Sequence, residues 1–247
     1  MTGPDAVTED GWLGGALRLS QPKAGYRVAI DAALLAAAVA VGPGGRALEF
    51  GTGVGAAALA LAWRLKDVQI DAVEVQAPLA ALARRNVALN GLEGRVRIIE
   101  GDLAAVPLDA RAYDAVFFNP PYLKPGDNDP APDPVKRIAT VEGEVGLPAW
   151  FAAAARSARA GGAVVAIHRA DRLGDLLAAA AAAGVGGLTV FPLWPKVGEP
   201  AARVLVSGRA GKGGRLTLAP GLILHEADGA YTAAARAALT GSALKLG

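Results

Sequence analysis

Cysteine is absent from all 247 residues, so neither a disulfide framework nor a thiolate-bound metal is available, which suits a reducing compartment. Histidine is scarce as well, and His168 and His225 do not by themselves suggest a metal site. The chain lacks a basic start followed by an apolar run, and no apolar run reaches membrane-spanning length without a break. The Ala-rich stretch from Asp31 to Val41 is too short and reads as a buried or amphipathic helix. Strong charge of either sign is missing too: 25 Lys and Arg against 23 Asp and Glu leave +2, which excludes a uniformly basic nucleic-acid coat. A soluble cytoplasmic protein is the default these absences leave.

What remains is a chain that is 53% hydrophobic, enough for a sizeable core, in which strand-like and helix-like stretches alternate as in an α/β layered fold. Its most informative stretch is Asn119-Pro120-Pro121-Tyr122, which follows the strand-like run Tyr113 to Phe118. Open α/β sheets bind ligands at that end of their strands. A planar amino group is a poor nucleophile because its lone pair is delocalised. Two acceptors holding its N–H groups free that lone pair, and the Asn119 side chain with the Pro120 carbonyl can supply them. Pro121 stiffens the turn, and Tyr122 offers a flat face for a base. The alternative is a Pro-rich turn that merely ends a strand.

A second motif weighs against that alternative. Arg46 to Phe50 is a short apolar run followed by Gly51-Thr52-Gly53-Val54-Gly55 and an Ala/Leu-rich segment to about Leu65, hence strand, glycine loop and helix. The glycines permit a sharp turn and close approach to a ligand at the helix N-terminus. Their G-x-G-x-G spacing departs from the G-x-G-x-x-G of dinucleotide folds, which disfavours a nicotinamide enzyme. With Glu49 in front, the loop resembles motif I of S-adenosylmethionine (AdoMet) methyltransferases. Val68 to Glu74 then reads as a strand ending in an acid suited to ribose hydroxyls. Arg95 to Asp102 is a third strand, and in methyltransferases its terminal acid meets the adenine of AdoMet. A solvated acid or helix cap is the alternative for both Glu74 and Asp102.

Further along, Pro148 to Ala160 reads as helix, Ala163 to His168 as strand, and Asp171 to Ala183 as helix. Leu188 to Trp194 and Arg203 to Ser207 read as a closing antiparallel hairpin. The expected architecture is a Rossmann-like, seven-stranded, mostly parallel sheet with that hairpin at one edge and helices on both faces. Residues 1–41 form an N-terminal segment with a helix near the cofactor, and 42–247 carry the catalytic fold and a basic C-terminal tail, one domain overall. Residues 1 to about 11 read as a flexible start. Lys196, Arg203, Arg209, Lys212 and Arg215 face a single acid, Glu199, between 196 and 215, a pattern of phosphate contacts or of a solvated face. The Pro/Gly/Asp-rich loop from Lys124 to Gly146 lies beside the reactive motif as a candidate substrate clamp, with Lys124, Lys136 and Arg137. His168 reads as a structural hydrogen-bonder.

Several segments together resemble one family, the bacterial AdoMet-dependent enzymes that methylate N6 of the adenine next to the anticodon in a valine tRNA. They are Asp10 to Gly15, Gln21-Pro22 through Tyr26-Arg27 to Asp31, Glu49 to Gly55, Asn119 to Tyr122, His168-Arg169, Pro192 to Pro195 and Leu224 to Thr232. The resemblance implies that Glu49, Gly51, Gly53 and Gly55 line the AdoMet loop, Glu74 binds ribose and Asp102 adenine. It puts Tyr26, Arg27 and Asp31 near the amino-acid end of the cofactor. Asn119 and Pro120 would hold the target amine, Pro121 would stiffen the turn, and Tyr122 would stack on a base flipped from the anticodon loop. Lys124, Lys136, Arg137, Lys212 and Arg215 are then the expected RNA contacts. The alternatives are glutamine methylation in a protein such as a release factor, DNA adenine methylation, and a non-catalytic AdoMet-binding scaffold.

Overall fold

Apolar runs covered on both faces form buried parallel strands. Here Arg46–Phe50, Gln69–Glu74, Tyr113–Phe118 and Ala158–Arg169 each lead into a helix, while Val96–Glu100 leads through a turn into the next strand. The computed structural model describes residues 7–23, 27–122 and 146–247. At its centre β3 (Arg46–Phe50) is flanked on one side by β4 (Gln69–Glu74) and β5 (Val96–Glu100). On the other side lie β6 (Tyr113–Phe118) and β7 (Ala158–Arg169), all parallel. Then β9 (Arg203–Ala210) inserts antiparallel between β7 and β8 (Val185–Trp194).

Those seven strands match the sequence expectation, but among the described residues the sheet has nine. Two short strands, β10 (Thr217–Leu218) and β11 (Leu222–Ile223), both pair parallel to β8. They cover part of an edge that would otherwise present unpaired N–H and C=O groups. The expected basic tail is therefore in part sheet: Arg203 to Ala210 is its antiparallel strand.

Side chains alternate between two cores. Ala115 and Phe117 of β6, with Val165 and Ile167 of β7, face α1 (Ile30–Ala38), α2 (Ala56–Arg64) and α6 (Ala233–Leu239). Val116, Phe118, Val164 and Ala166 face α4 (Leu147–Ser157) and α5 (Leu173–Ala182). That period of two is the strand signature. Helix α4 stops three residues earlier than expected and β7 begins at Ala158, with a register shift opposite Tyr113 and Ala115. Gly162 permits this: a Cβ there would lie 2.9 Å from the carbonyl oxygens of Arg159 and Tyr113.

The N-terminal stretch is not a flexible start from residue 7 onward. Val7–Trp12 (β1) pairs antiparallel with Leu17–Pro22 (β2), with Arg18–Glu9 bridging the two strands. Helix α3 (Ala77–Leu89) locks the hairpin down. The fully buried Asn86 accepts from Ser20 N–H at 2.6 Å and donates to the carbonyls of Ser20 and Val54, both at 2.9 Å. One carboxamide thus ties the hairpin to the glycine loop, and its hydrogen-bonding groups are satisfied, as burial demands.

Candidate active site at the carboxyl ends of the strands

Chain reversal after β3 needs glycine. Gly51, Gly53 and Gly55 have φ of +67°, +59° and +89°, a region that costs other residues energy. A Cβ on Gly51 would also sit 2.7 Å from Trp150 Cη2. The loop is braced from beneath by two acids. Glu49 Oε2 accepts from Thr52 Oγ1 at 2.7 Å and from Ala58 N–H at 2.9 Å, so it caps the first turn of α2, whose N-cap Gly55 has no side chain. Glu74 accepts from Gly53 N–H at 2.8 Å and from Gln76 N–H at 2.9 Å. Burial pushes the Glu49 carboxyl up to about 7, against the pull of those two hydrogen bonds and with repulsion from Glu74. Burial raises Glu74 as well, opposed by its backbone N–H partners.

Beside this loop β6 delivers Asn119-Pro120-Pro121-Tyr122. Asn119 is exposed and Pro120 buried. The next two residues are held from β7 and the turn behind it. His168 Nε2 lies 3.3 Å from the Pro121 carbonyl, while its Nδ1 accepts from Arg169 N–H at 2.8 Å, which leaves the hydrogen on Nε2. Burial pushes this imidazole down to about 4, so it is neutral at physiological pH. Arg172 donates to the Tyr122 carbonyl at 3.4 Å. Above the Tyr122 ring, 5.9 Å from its centroid, stands the Arg203 guanidinium, whose Nε donates to Asp31 Oδ2 at 3.0 Å.

Both motifs open into one cavity of about 350 Å³, lined by Arg27, Asp31, Glu49, Gly51, Gly53, Glu74, Asn119 to Tyr122, Trp150 and Arg203 among others. That volume falls in the range of small-ligand clefts, about 300–1,000 Å³. Gly55 and Asp102 do not line it. Gly55 is the left-handed N-cap of α2, and Asp102 is exposed, its Oδ1 accepting from Ala104 N–H at 2.8 Å as a turn cap. Arg27 reaches the cavity wall while paired with Asp10 at 3.0 Å. Lys212 and Arg215 follow the far end of β9, whose eight residues at about 3.4 Å each put them roughly 25 Å from Arg203. Tyr26, Lys124, Lys136 and Arg137 lie outside the described residues.

Several lining residues escaped sequence reasoning, Trp150 and Arg203 foremost among them. Trp150 sits in a helix whose apolar character gave no hint of a ligand. Arg203 was counted with a basic run, yet the direction of β9 was a usable signal: an antiparallel strand presents its first residue, not its last, to the site.

A central glycine loop after β3, an NPPY turn after β6 and an antiparallel β9 between β7 and β8 define a class I AdoMet-dependent methyltransferase. Residues 25–132 match the model of the methyltransferase small domain. The tRNA1(Val) (adenine(37)-N6)-methyltransferase of Aeromonas salmonicida is 32% identical over 207 residues, 83% of this chain and 85% of the relative. Its Aeromonas hydrophila counterpart is 31% identical over the same shares. Among solved structures, a predicted O-methyltransferase from Agrobacterium tumefaciens superposes with a TM-score of 0.74 at 28% identity, over 87% of this chain and 98% of that one. The chain belongs to the tRNA1(Val) (adenine(37)-N6)-methyltransferase family.

Proposed function

We propose that this protein methylates the N6 amine of an adenine next to the anticodon of a valine tRNA, with AdoMet as donor. The observation that carries the reading is one cavity shared by the glycine loop and the Asn119-Pro120-Pro121-Tyr122 turn. Its residues suit AdoMet: positive-φ glycines with no side chain to fill the space, and buried carboxylates for a polar, cationic ligand. Glu74 would take the ribose hydroxyls, Glu49 and the loop amides the chain around the sulfur, and Arg27, Asp31 and Tyr26 the amino-acid end. Asp102 is proposed for adenine from just outside the cavity. Bound there, AdoMet supplies an electrophilic methyl group on a sulfonium.

Asn119 Oδ1 and the Pro120 carbonyl accept the two N–H groups of N6, which localises its lone pair toward that methyl. Tyr122 stacks on the flipped base, and RNA loop bases are already partly unstacked, which lowers the cost of flipping. His168, donating to the Pro121 carbonyl, fixes the turn. As the N–C bond forms, the S–C bond breaks, and the acidified ammonium releases its proton to water. Positioning supplies most of the rate. Lys124, Lys136 and Arg137, next in the chain, are proposed phosphate contacts. The 1–41 segment contributes to the pocket, so the whole chain acts as one unit, in the cytoplasm with its RNA.

Asn119→Ala should cut turnover by roughly 10²–10³-fold, the usual effect of deleting one well-placed polar group, while AdoMet affinity stays within a few-fold. Loss of AdoMet binding in a folded variant would count against the amine-holding role. For the substrate, labelled methyl is offered to bulk tRNA from a strain lacking this protein. N6-methyladenosine in a valine tRNA is the expected product; no incorporation into tRNA, with AdoMet binding intact and label entering release factors offered in its place, would replace the reading with glutamine methylation.

A further inference from the structure

The amino ends of the parallel strands, opposite the cavity, gather cations that the fold leaves unpaired. Arg111 precedes β6 and donates its N–H to the Arg156 carbonyl at 2.9 Å, while Arg156 closes α4. Arg209 stands on β9 opposite Ala163 of β7 and Gly186 of β8. The Lys212 side chain lies across Gly161, its Cε 3.0 Å from where a Cβ would stand there. Arg215 follows two residues before β10. All five are exposed, and none makes an ion pair among the described residues. Arg159, in their midst, is tied to Asp114 at 2.6 Å.

These side chains follow five neighbouring strands, β6, β7, β9, β8 and β10, in a row, roughly 19 Å wide at about 4.8 Å per strand. On a chain of net charge +2, so many cations at one end repel one another, and the acids that flank Arg111, Asp109 and Asp114, are already held by Arg46 and Arg159. Four of the five are arginines, which bind phosphate in a fork. Of the exposed large apolar side chains among the described residues, only Leu216 and Leu218 lie near, at the Arg215 end. A protein interface would be expected to carry aromatic or apolar anchors at its centre.

We propose that this basic surface is a second RNA contact, one that grips the phosphate backbone of the substrate at a part remote from the target nucleotide. The inference rests on the RNA reading above and adds to it. The cavity and the patch are separated by the length of β9, roughly 25 Å, so one nucleotide cannot touch both. Recognition then depends on the size of the RNA and not only on its target loop.

Wild-type protein and the triple variant Arg111→Gln/Arg156→Gln/Arg209→Gln are titrated with full-length valine tRNA and with its isolated anticodon stem-loop, at several salt concentrations. Matched thermal midpoints establish that the variant is folded. Full-length tRNA should bind the variant at least tenfold more weakly, with a salt slope flattened by about 2, since each lost phosphate contact removes about 0.7–0.9. Stem-loop binding should not change. Unchanged full-length binding, equal losses on both RNAs, or a wild type that binds both RNAs alike would each overturn the proposal. The functional reading fails separately, if wild-type protein methylates no tRNA at all.

Discussion

At neutral pH Glu49 sits near its midpoint, because burial pushes its carboxyl from an ordinary 4.5 up to about 7. The folded chain therefore holds a proton there that the unfolded chain has released, and this group's contribution to stability declines as pH rises from about 4.5 to 7. His168 works in the other direction. Depressed from 6.5 to about 4 by burial, it favours the fold above 6.5 and withdraws that support as pH falls toward 4. Each shift corresponds to about 3 kcal/mol, so between about pH 4.5 and 6.5 the two slopes largely cancel. Glu49→Gln removes one of them. Urea midpoints of that variant should fall steeply from pH 6.5 to 4.5, while those of the native chain hold or rise. Equally flat curves would show that Glu49 is not the opposing group. The sequence identified Glu49 by its place before the glycine loop, but neither its burial nor the neutral state of His168 was legible. Both depend on what later segments pack against them.

Elements differ in how far they can be read in advance. β3 and β6 were found to the residue, because a buried strand between two turn signals has only one plausible extent. β10 and β11, two residues each, carry no pattern of their own and exist because β8 offers an open edge. The glycine loop lies between these cases: its spacing was visible, but the reason Gly51 must be glycine was not. Trp150, almost a hundred residues on in α4, closes the space beside it. Gly51→Ala should cost about 1–3 kcal/mol for its positive φ and weaken AdoMet at least tenfold by pressing on that indole. Chemical denaturation and calorimetric titration would read the two effects. A variant that keeps native affinity would show that the loop and α4 yield easily.

Across the whole molecule the cavity is made by residues from 27 to 203, so whatever fills it bridges most of the chain. AdoMet at a hundred times its Kd should stabilise the fold by about 2.7 kcal/mol and raise the thermal midpoint by roughly 5–10 °C. Asn119→Ala should keep that rise. A midpoint unmoved by saturating AdoMet would mean that binding is confined to a locally unfolding part of the protein. The layered fold and the common end for both motifs were legible from the order of strand-end signals. Arg203 could be placed from the antiparallel direction expected of β9, but the gathering of Arg111, Arg156 and Arg209 at one end was not legible, because charge itself carries no periodicity. Strand order has a further consequence, in time. Every hydrogen-bonded neighbour of β8 comes later in the chain, and β9 must slip between β7 and β8 to join them. On the ribosome, then, the emerging β8 waits without a partner, and the wall carrying Arg203 closes only once the last quarter of the polypeptide is being made. A chain terminated before β9 ends as an open sheet without a finished pocket, so synthesis that stops short of that strand yields no partial enzyme.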